Sequence, residues 1–285
     1  MSDRSAPERP SHLDNPHAER VRRVAGLAGR SARSRSGLLL VDGPQAVREL
    51  VVHRAGQLRD VYLTAEAAAS HPDILDAARR ATTWVHEVTE EVARAMSSDA
   101  QGVIAVARIQ AIGAGSPRAG GGPVVVLARA QDPGNVGTMI RTADAMGASR
   151  VVLTPGSVDV SNPKVIRSSA GSVFHLPVAT GTALTEVVED LHGDGTVVMG
   201  TSGSDGSLDL RELLAEALTR GEGALGVPHA WVLGNEAQGL SPQEEALCDV
   251  LVSIPMTGEA ESLNVASAAA MCLFASQCGR APGSR

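Results

Sequence analysis

The sequence predicts an α/β protein with two domains, the second of which has a mostly parallel sheet. Short apolar runs alternate with helical patterns along most of the chain, which is typical of layered α/β folds. In the second half these runs are uniformly apolar, as expected for parallel strands that are covered on both faces. Between the halves, residues 109–122 are rich in glycine and proline without periodicity, which indicates a linker.

These patterns divide the 285-residue chain into four parts. Residues 1–18 are rich in serine, proline and charge, and predict a disordered tail. Residues 19–108 predict a small α/β domain, and after the linker residues 123–285 predict the larger one. A chain of this length can bury a substantial core.

In the first domain the predicted elements follow one another closely. The spacing of Val21, Val24 and Leu27 predicts a short amphipathic helix that runs into a loop of serine and arginine. Pro44 suits the first turn of the next helix, and Thr89 suits the start of a later one. The predicted strands are 38–41, 61–63, 84–85 and 103–107, and the further helices are 43–52, 73–80 and 89–95.

Composition limits the classes of function. Aromatic residues make up 2% of the chain, so base stacking is not expected to be its main route to a nucleic acid. The formal net charge is −7, yet arginine is dense near the start of the first domain, and a local patch can act against the global sign. Both a solvated arm and a phosphate-contacting arm fit this segment. The candidate RNA-contacting residues in it are Arg22, Arg23, Arg33 and Arg35.

The three cysteines are odd in number and lack the paired spacing of metal ligands, so neither a disulfide framework nor a zinc site is expected. The longest apolar helical pattern, residues 263–275, is too short to span a bilayer. No signal-peptide pattern stands at the start. These observations predict a soluble cytoplasmic protein.

Three polar stretches in the second domain each follow an apolar strand-like run. Motif 1 is Asp-Pro-Gly-Asn-Val-Gly-Thr-Met-Ile-Arg at residues 132–141, and motif 2 is Leu-Gly-Asn-Glu-Ala-Gln-Gly-Leu at residues 233–240. Motif 3 is Ile-Pro-Met-Thr-Gly-Glu-Ala-Glu-Ser-Leu-Asn-Val-Ala at residues 254–266. Loops that lead from a strand into a helix are where open α/β sheets bind ligands, because backbone groups are unpaired there. The other predicted strands are 124–127, 151–153, 196–199, 230–233 and 250–254.

Local rules predict the geometry of these motifs. Asn135 is expected to cap a helix that carries Arg141 off its buried stripe. Gly137 lies one turn before Arg141, and its missing side chain is expected to open an approach to the guanidinium. In motif 3 the helix is expected to restart at Ser262, which would place Asn264 unfavourably inside its first turn and suggests a functional role for that residue.

Together the motifs resemble those of the SpoU (TrmH-like) RNA 2'-O-ribose methyltransferases, a branch of the knotted SPOUT class, in that family's order. The resemblance implies a trefoil knot in the second domain, a homodimer formed at the knot, and S-adenosyl-L-methionine as cofactor, without a metal. Residues 39–48 are similar to the ribosomal-protein-like RNA-binding domain that precedes the catalytic domain in many such enzymes.

The resemblance also implies roles for individual residues. It assigns catalysis to Arg141, Asn135, Glu236, Ser262 and Asn264, and the cofactor pocket to Thr201, Gly234, Ile254, Met256 and Leu263. It also suggests RNA contact for Lys164 and Arg167, for which a solvated helix face is the alternative. Glu236 could equally be a helix-capping or solvated carboxylate. Because arginine normally stays protonated, it is an awkward base, and two roles stay open for Arg141: stabiliser of phosphate and alkoxide charge, or a deprotonated general base.

The function predicted from this resemblance is methyl transfer from S-adenosyl-L-methionine to a ribose 2'-hydroxyl, with ribosomal RNA as the favoured substrate. The alternatives are a transfer-RNA methyltransferase, a ribosomal-RNA methyltransferase that confers antibiotic resistance, and a non-catalytic RNA-binding protein of the same fold.

Overall fold

A computed structural model describes residues 12–113, 121–220 and 223–279. The chain forms two compact units, which divide between Ala111 and Ile112. The first unit also includes the short segment Ser161–Pro163, and the second contains the rest of the chain after Ile112. The division falls within the predicted linker, of which residues 114–120 lie outside the described residues.

The first unit is built on a five-stranded mixed sheet of order β1-β4-β3-β5-β2, in which β1, β4 and β3 are parallel and β5 is antiparallel to both β3 and β2. Its strands are β1 (His12–Leu13), β2 (Leu38–Asp42), β3 (Leu58–Thr64), β4 (Val85–Val88) and β5 (Val103–Arg108). Its helices are α1 (Glu19–Gly26), α2 (Arg30–Ser36), α3 (Pro44–His53), α4 (Ala65–Ser70), α5 (Pro72–Ala81) and α6 (Glu90–Met96).

Two predictions for the first unit are wrong. Residues 12–18 are not a disordered tail, because His12–Leu13 pair in parallel with β4; residues 1–11 lie outside the described residues. The predicted loop of serine and arginine is the helix α2, which ends at Gly37 in the left-handed conformation that favours glycine. The helix starts at Pro44 and Thr89 are confirmed, and the Thr89 side chain accepts a hydrogen bond from the N–H of Val92.

The second unit contains a seven-stranded sheet of order β10-β12-β9-β11-β6-β7-β8, in which every pair of neighbours is parallel. Its strands are β6 (Val124–Leu127), β7 (Arg150–Leu153), β8 (Val178–Thr180), β9 (Val197–Thr201), β10 (Leu208–Asp209), β11 (His229–Leu233) and β12 (Val250–Ser253). Its helices are α7 (Pro133–Ala145), α8 (Pro163–Ser168), α9 (Leu184–Gly193), α10 (Leu210–Arg220), α11 (Pro242–Glu245) and α12 (Val265–Gly279).

The uniformly apolar runs of the sequence are the central strands of this sheet. Every residue of β6 and β11 is buried, as expected for parallel strands covered on both faces. The α/β fold with a mostly parallel sheet is therefore confirmed. Among the described residues, no helix is long and apolar enough to cross a membrane.

Candidate active site

The predicted cofactor residues follow three neighbouring strands of the second unit. β9 lies between β12 and β11, and all three run parallel, so their carboxyl ends meet at one edge of the sheet. Thr201 ends β9, Gly234 follows β11 and Ile254 follows β12. Thr201 is in register with Val252 and donates a 3.4 Å hydrogen bond to the carbonyl of Val232. Loop segments that are 20 to 53 residues apart in sequence therefore lie side by side.

Motif 2 forms a closed turn at this edge. Asn235 and Gly239 exchange two backbone hydrogen bonds, of 3.1 and 2.8 Å. A Cβ on Gly234 would lie 2.2 Å from the carbonyl carbon of Gly239 and 2.4 Å from the nitrogen of Leu240. The family resemblance assigns this glycine to the cofactor pocket, but the turn alone already requires a glycine here.

The turn of motif 2 holds the loop that leads into motif 1. Glu236 accepts hydrogen bonds from the backbone N–H groups of Gln131 (3.3 Å) and Asp132 (3.2 Å), one at each carboxylate oxygen. The side-chain amide of Asn235 donates a 2.9 Å hydrogen bond to the carbonyl of Arg129. Although Glu236 is exposed, its two hydrogen bonds to the backbone of the neighbouring loop favour a carboxylate that positions this loop.

The start of α7 differs from its prediction. Asp132, and not Asn135, caps this helix: its Oδ1 accepts the N–H of Asn135 at 2.7 Å, because the helix begins at Pro133 and the cap must precede it. The Asn135 side chain is thereby available for another partner.

Gly137 has a different role from the predicted one. A Cβ at this position would lie 1.9 Å from Ser168 Oγ, 2.5 Å from the carbonyl oxygen of Val165 and 2.8 Å from the nitrogen of Ser169. The missing side chain therefore allows the close approach of α7 to α8. The space beside Gly137 is filled by α8 and is not an opening for a ligand.

Two asparagine side chains join motif 3 to motif 1. Asn264 donates a 3.0 Å hydrogen bond from its side-chain amide to Oδ1 of Asn135. Its own Oδ1 accepts the N–H groups of Ala266 (2.9 Å) and Ser267 (3.3 Å), so Asn264 caps α12. The helix begins at Val265 instead of Ser262, and asparagine is favoured at a cap, so the argument from an unfavourable helix position is wrong. The exposed Ser262 lies in the loop before the cap.

Arg141 stands apart from these contacts. Its side chain is exposed on α7, and within the described part of the chain no hydrogen bond or ion pair joins it to another residue. Helix geometry separates Asn135 and Arg141 by about 9 Å along the axis and by roughly a third of a turn. The guanidinium of Arg141 is therefore accessible to a ligand that binds beside α7, and its catalytic role stays a prediction.

The exposed Lys164 lies on α8 near the start of α7, with its Cε 3.8 Å from where a Cβ of Gly134 would stand.

Comparison with known proteins agrees with this geometry. The sequence profile of the SpoU rRNA Methylase family matches residues 122–274, which is more than half of the chain and includes all three motifs. The chain belongs to this family.

Its relatives in the SpoU family include enzymes named for ribosomal RNA. The chain is 38% identical over 151 residues to a 23S rRNA (guanosine(2553)-2'-O)-methyltransferase of Bacillus subtilis, covering 53% of this chain and 56% of that protein. It is 39% identical over 155 residues to a 23S rRNA (uridine(2479)-2'-O)-methyltransferase of Streptomyces viridochromogenes, covering 53% of this chain and 50% of that protein. The chain thus spans about half the length of these curated relatives.

A solved structure extends the likeness to both units. The crystal structure of the SpoU methyltransferase AviRb from Streptomyces viridochromogenes in complex with AdoMet is 30% identical to this chain, with a TM-score of 0.71. The superposition covers 92% of this chain and 97% of that one.

This SpoU family member also has an ion pair beside the site that sequence reasoning missed. Arg129 binds Glu244 in bidentate fashion, with Nε donating to Oε1 at 2.9 Å and Nη2 donating to Oε2 at 2.7 Å. Nη2 of Arg129 also donates to the carbonyl of Gly239 at 3.2 Å, which ties the motif 2 turn to the end of β6. Arg129 has a φ of +54°, which the hydrogen bond from its N–H to Thr154 Oγ1 (3.0 Å) helps to hold.

The sequence signal for this pair was incomplete. Ser241 and Glu244 form a capping box at the start of α11, a pattern that is recognisable within four residues of sequence. A lone arginine after a strand carries no such signature, because its partner lies 115 residues away in sequence. The guanidinium of Arg129 lowers the pKa of Glu244, and the carboxylate in turn raises the pKa of Arg129.

We expect Glu244→Gln to lower the free energy of unfolding at pH 7 by about 1–2 kcal/mol, since a charged hydrogen-bonding partner is lost while the cap acceptor is kept. Because the pKa of Glu244 is lowered in the folded protein, its contribution is present above the unfolded pKa and is lost as pH falls through the folded value. We would measure urea unfolding of the variant and the wild type at neutral pH and in mild acid. The difference in their free energies of unfolding should be smaller in acid. The exposed Glu189, changed to Gln, serves as control; a constant difference across pH would contradict the assignment.

The predicted RNA-contacting arginines divide into two groups. Arg22, Arg23 and Arg35 are exposed, although Arg23 donates a 2.9 Å hydrogen bond to Glu19 on its own helix. The prediction for Arg33 is wrong. Its side chain is 2% exposed, because it donates to Ser161 Oγ (2.9 Å) and to the carbonyl oxygens of Leu27 (3.1 Å) and Ala28 (2.7 Å) in the turn between α1 and α2. In the second unit, Lys164 is exposed and Arg167 is half-buried.

Proposed function

We propose that this protein transfers a methyl group from S-adenosyl-L-methionine to a ribose 2'-hydroxyl of ribosomal RNA. The observation that carries the proposal is the mutual bonding of the three motifs at the carboxyl edge of a parallel sheet. Glu236 of motif 2 holds the start of motif 1, and Asn264 of motif 3 binds Asn135 of motif 1. A site assembled from loops after several parallel strands is typical of α/β enzymes.

The edge of the sheet fits S-adenosyl-L-methionine in its chemistry. Beside the ends of β9, β11 and β12, the apolar side chains of Met256 and Leu263 are 45% and 37% exposed, and Ile254 is half-buried. An adenine ring would cover such apolar surface, while the backbone at Thr201 and Gly234 offers hydrogen-bonding groups. Bound there, the sulfonium would supply an already activated methyl group, so the reaction needs no metal.

The chain's own residues would orient the hydroxyl and handle its charge. Arg141 has no partner among the described residues, so its donors are available to a phosphate or to the developing alkoxide. Asn135, fixed by Asn264, can hold a ribose hydroxyl, and the exposed Ser262 lies in the loop just before Asn264. Glu236 would act by holding the loop of motif 1. The two candidate roles of Arg141, charge stabiliser and general base, can be separated by experiment.

RNA would be held mainly through its phosphates. The exposed cations Arg22, Arg23 and Arg35 in the first unit, and the exposed Lys164 with the half-buried Arg167 in the second, support this proposal. Each phosphate contact releases counterions, so affinity should fall steeply with salt. Arg33 is excluded from this set by its burial.

We further propose a cytoplasmic homodimer with a trefoil knot in the second unit. On α12 the side chains of Met271 and Phe274 are 43% and 54% exposed and lie on one face of the helix. Apolar surface of this kind supports a contact between copies of the chain. Ribosomal RNA as substrate and the free cysteines Cys248, Cys272 and Cys278 support the location in the cytoplasm.

The proposed function is tested by incubating the protein with tritiated S-adenosyl-L-methionine and, separately, with ribosomal RNA and transfer RNA from cells that lack the gene. We expect label on a ribose 2'-oxygen of ribosomal RNA, located by nuclease digestion. Label on transfer RNA alone would overturn the choice of substrate. No label, together with no calorimetric signal of cofactor binding, would support a non-catalytic RNA-binding protein instead.

A further inference from the structure

The first unit contains an arginine-lined pocket at the amino ends of β3 and β4. It encloses about 480 Å³, within the range of small-ligand sites. Its charged residues are three arginines and a single carboxylate. The lining includes Arg20, Arg23, Arg59, Asp60, Tyr62 and Trp84.

Aromatic side chains form part of the lining of this pocket. Trp84 is 40% exposed, whereas the chain's other tryptophan, Trp231, is fully buried in the second unit. Behind Trp84 lies His86, with ring centroids 6.3 Å apart, and His86 stacks on Tyr62 at 5.0 Å. The Trp84 indole is therefore backed by the His86 ring, and part of its surface is accessible to a ligand.

Positive charges line the same pocket, and one of them lies over Trp84. The guanidinium carbon of Arg20 lies 6.0 Å from the centroid of the Trp84 ring, and Nη1 of Arg20 donates a 2.9 Å hydrogen bond to Nε2 of His86. Arg59 is exposed, and among the described residues its guanidinium has no hydrogen-bonding partner. Burial and the negative charge of Asp60 raise the pKa of Tyr62, and the nearby positive charges of Arg20, Arg23 and Arg59 act in the opposite direction.

Opposing charge around the pocket is limited. The single carboxylate, Asp60, lies with its Oδ1 3.5 Å from Nε2 of His86, and its side chain is mostly buried. Glu19 binds Arg23, but both side chains are more than 70% exposed, and such a pair on a helix surface is weak enough for a phosphate to displace.

We propose that this pocket binds an unpaired nucleotide of the RNA substrate, with its base stacked on Trp84 and its flanking phosphates held by Arg23 and Arg59. This inference rests on the proposed function, since it names how that RNA is engaged. A base has a π-face that suits the indole or the guanidinium of Arg20, and its phosphates suit the two exposed arginines. An acidic peptide would use the arginines but would leave the indole without a matching group.

The test uses the full chain and a short unstructured oligouridine at low salt. Because Trp231 is buried, quenching of the intrinsic fluorescence on titration reports stacking on Trp84. We expect Trp84→Ala to bind the oligonucleotide roughly tenfold more weakly, from the usual strength of base stacking. Trp84→Phe should keep the affinity within about twofold, since phenylalanine also stacks, but should lose the quenching. Val52→Ala, at an exposed apolar position on α3 outside the pocket lining, serves as control and should match the wild type.

Several outcomes would overturn the inference. They are unchanged affinity in Trp84→Ala, equal weakening in Trp84→Phe and Trp84→Ala, uridine monophosphate binding as tightly as the oligonucleotide, and displacement of the oligonucleotide by an oligoglutamate. Methyl transfer to ribosomal RNA, measured on the same preparations, separates the two proposals. If methyl transfer occurs but Trp84→Ala leaves oligonucleotide binding unchanged, only the pocket proposal is contradicted. If the oligonucleotide binds tightly and quenches the fluorescence but no methyl transfer occurs, only the proposed function is contradicted.

Discussion

Arg141→Ala should lower the rate of methyl transfer by about a thousandfold, the loss expected when one preorganised donor to a developing negative charge is removed. Cofactor affinity should stay close to that of the wild type, because Arg141 lies on α7 and the proposed cofactor edge is formed by β9, β11 and β12. Stability should also change little, since the side chain is exposed and has no partner among the described residues. The measurements are single-turnover transfer of tritium, calorimetric cofactor binding and thermal unfolding.

Two further variants sharpen the test of Arg141. Arg141→Lys keeps a positive charge, so a stabiliser of charge should retain part of the rate, with little change in the pH profile. If Arg141 is the general base, the lysine variant should show a rate that rises with pH into the range of the lysine pKa. Arg211→Ala removes an exposed arginine of the same unit that binds only Asp209 in the described structure, and it should leave transfer unchanged. Equal loss of transfer and of cofactor binding in Arg141→Ala would contradict the assigned role.

Gly137→Ala should destabilise the second unit by about 3 kcal/mol, the upper part of the usual cost of overpacking. The added methyl group would lie 1.9 Å from Ser168 Oγ and 2.5 Å from the carbonyl of Val165, so α7 and α8 must separate. The serine hydroxyl can rotate away, but the backbone atoms cannot. Because α7 carries both Asn135 and Arg141, methyl transfer should fall as well, even where the protein remains folded. Urea unfolding measures the loss of stability. Methyl transfer, assayed at a temperature below the unfolding transition, measures the loss of activity.

The matched control for this variant is Gly193→Ala. Gly193 is also helical and belongs to the same unit, but a Cβ there would meet no atom within 4 Å. Alanine is the better helix former, so this change should be neutral or stabilise the protein by up to about 1 kcal/mol. If both variants lost the same stability, backbone propensity and not the contact between α7 and α8 would be the cause.

Much of the fold was readable from local patterns. The strand β6 was predicted with its observed bounds, and the helix starts at Pro44 and Thr89 were correct. These features depend on neighbours within a few residues, so the sequence contains the whole signal. Very short edge strands such as β1 and β10 were missed, because two residues have no periodicity to detect.

The candidate site was predicted as a set of residues but not as a set of contacts. The motifs pointed to Asn135, Glu236 and Asn264, yet the bond between Asn135 and Asn264 joins residues 129 positions apart. Asn135 was expected to cap a helix that Asp132 caps, since both residue types suit the position and only the start at Pro133 decides between them. The charge pattern likewise could not distinguish the buried Arg33 from its exposed neighbours.

The sequence by itself determined the two α/β units, the order of their main elements and the family, because periodicity, caps and motifs are properties of short stretches of chain. Only the tertiary structure decided that Gly137 serves helix packing, that Arg129 binds Glu244, and that Arg33 is structural. It also revealed the pocket around Trp84, which gathers residues from α1, β3 and the start of β4. Each of these depends on which distant segments meet, and hydrophobic patterning specifies that segments are buried without specifying their polar partners.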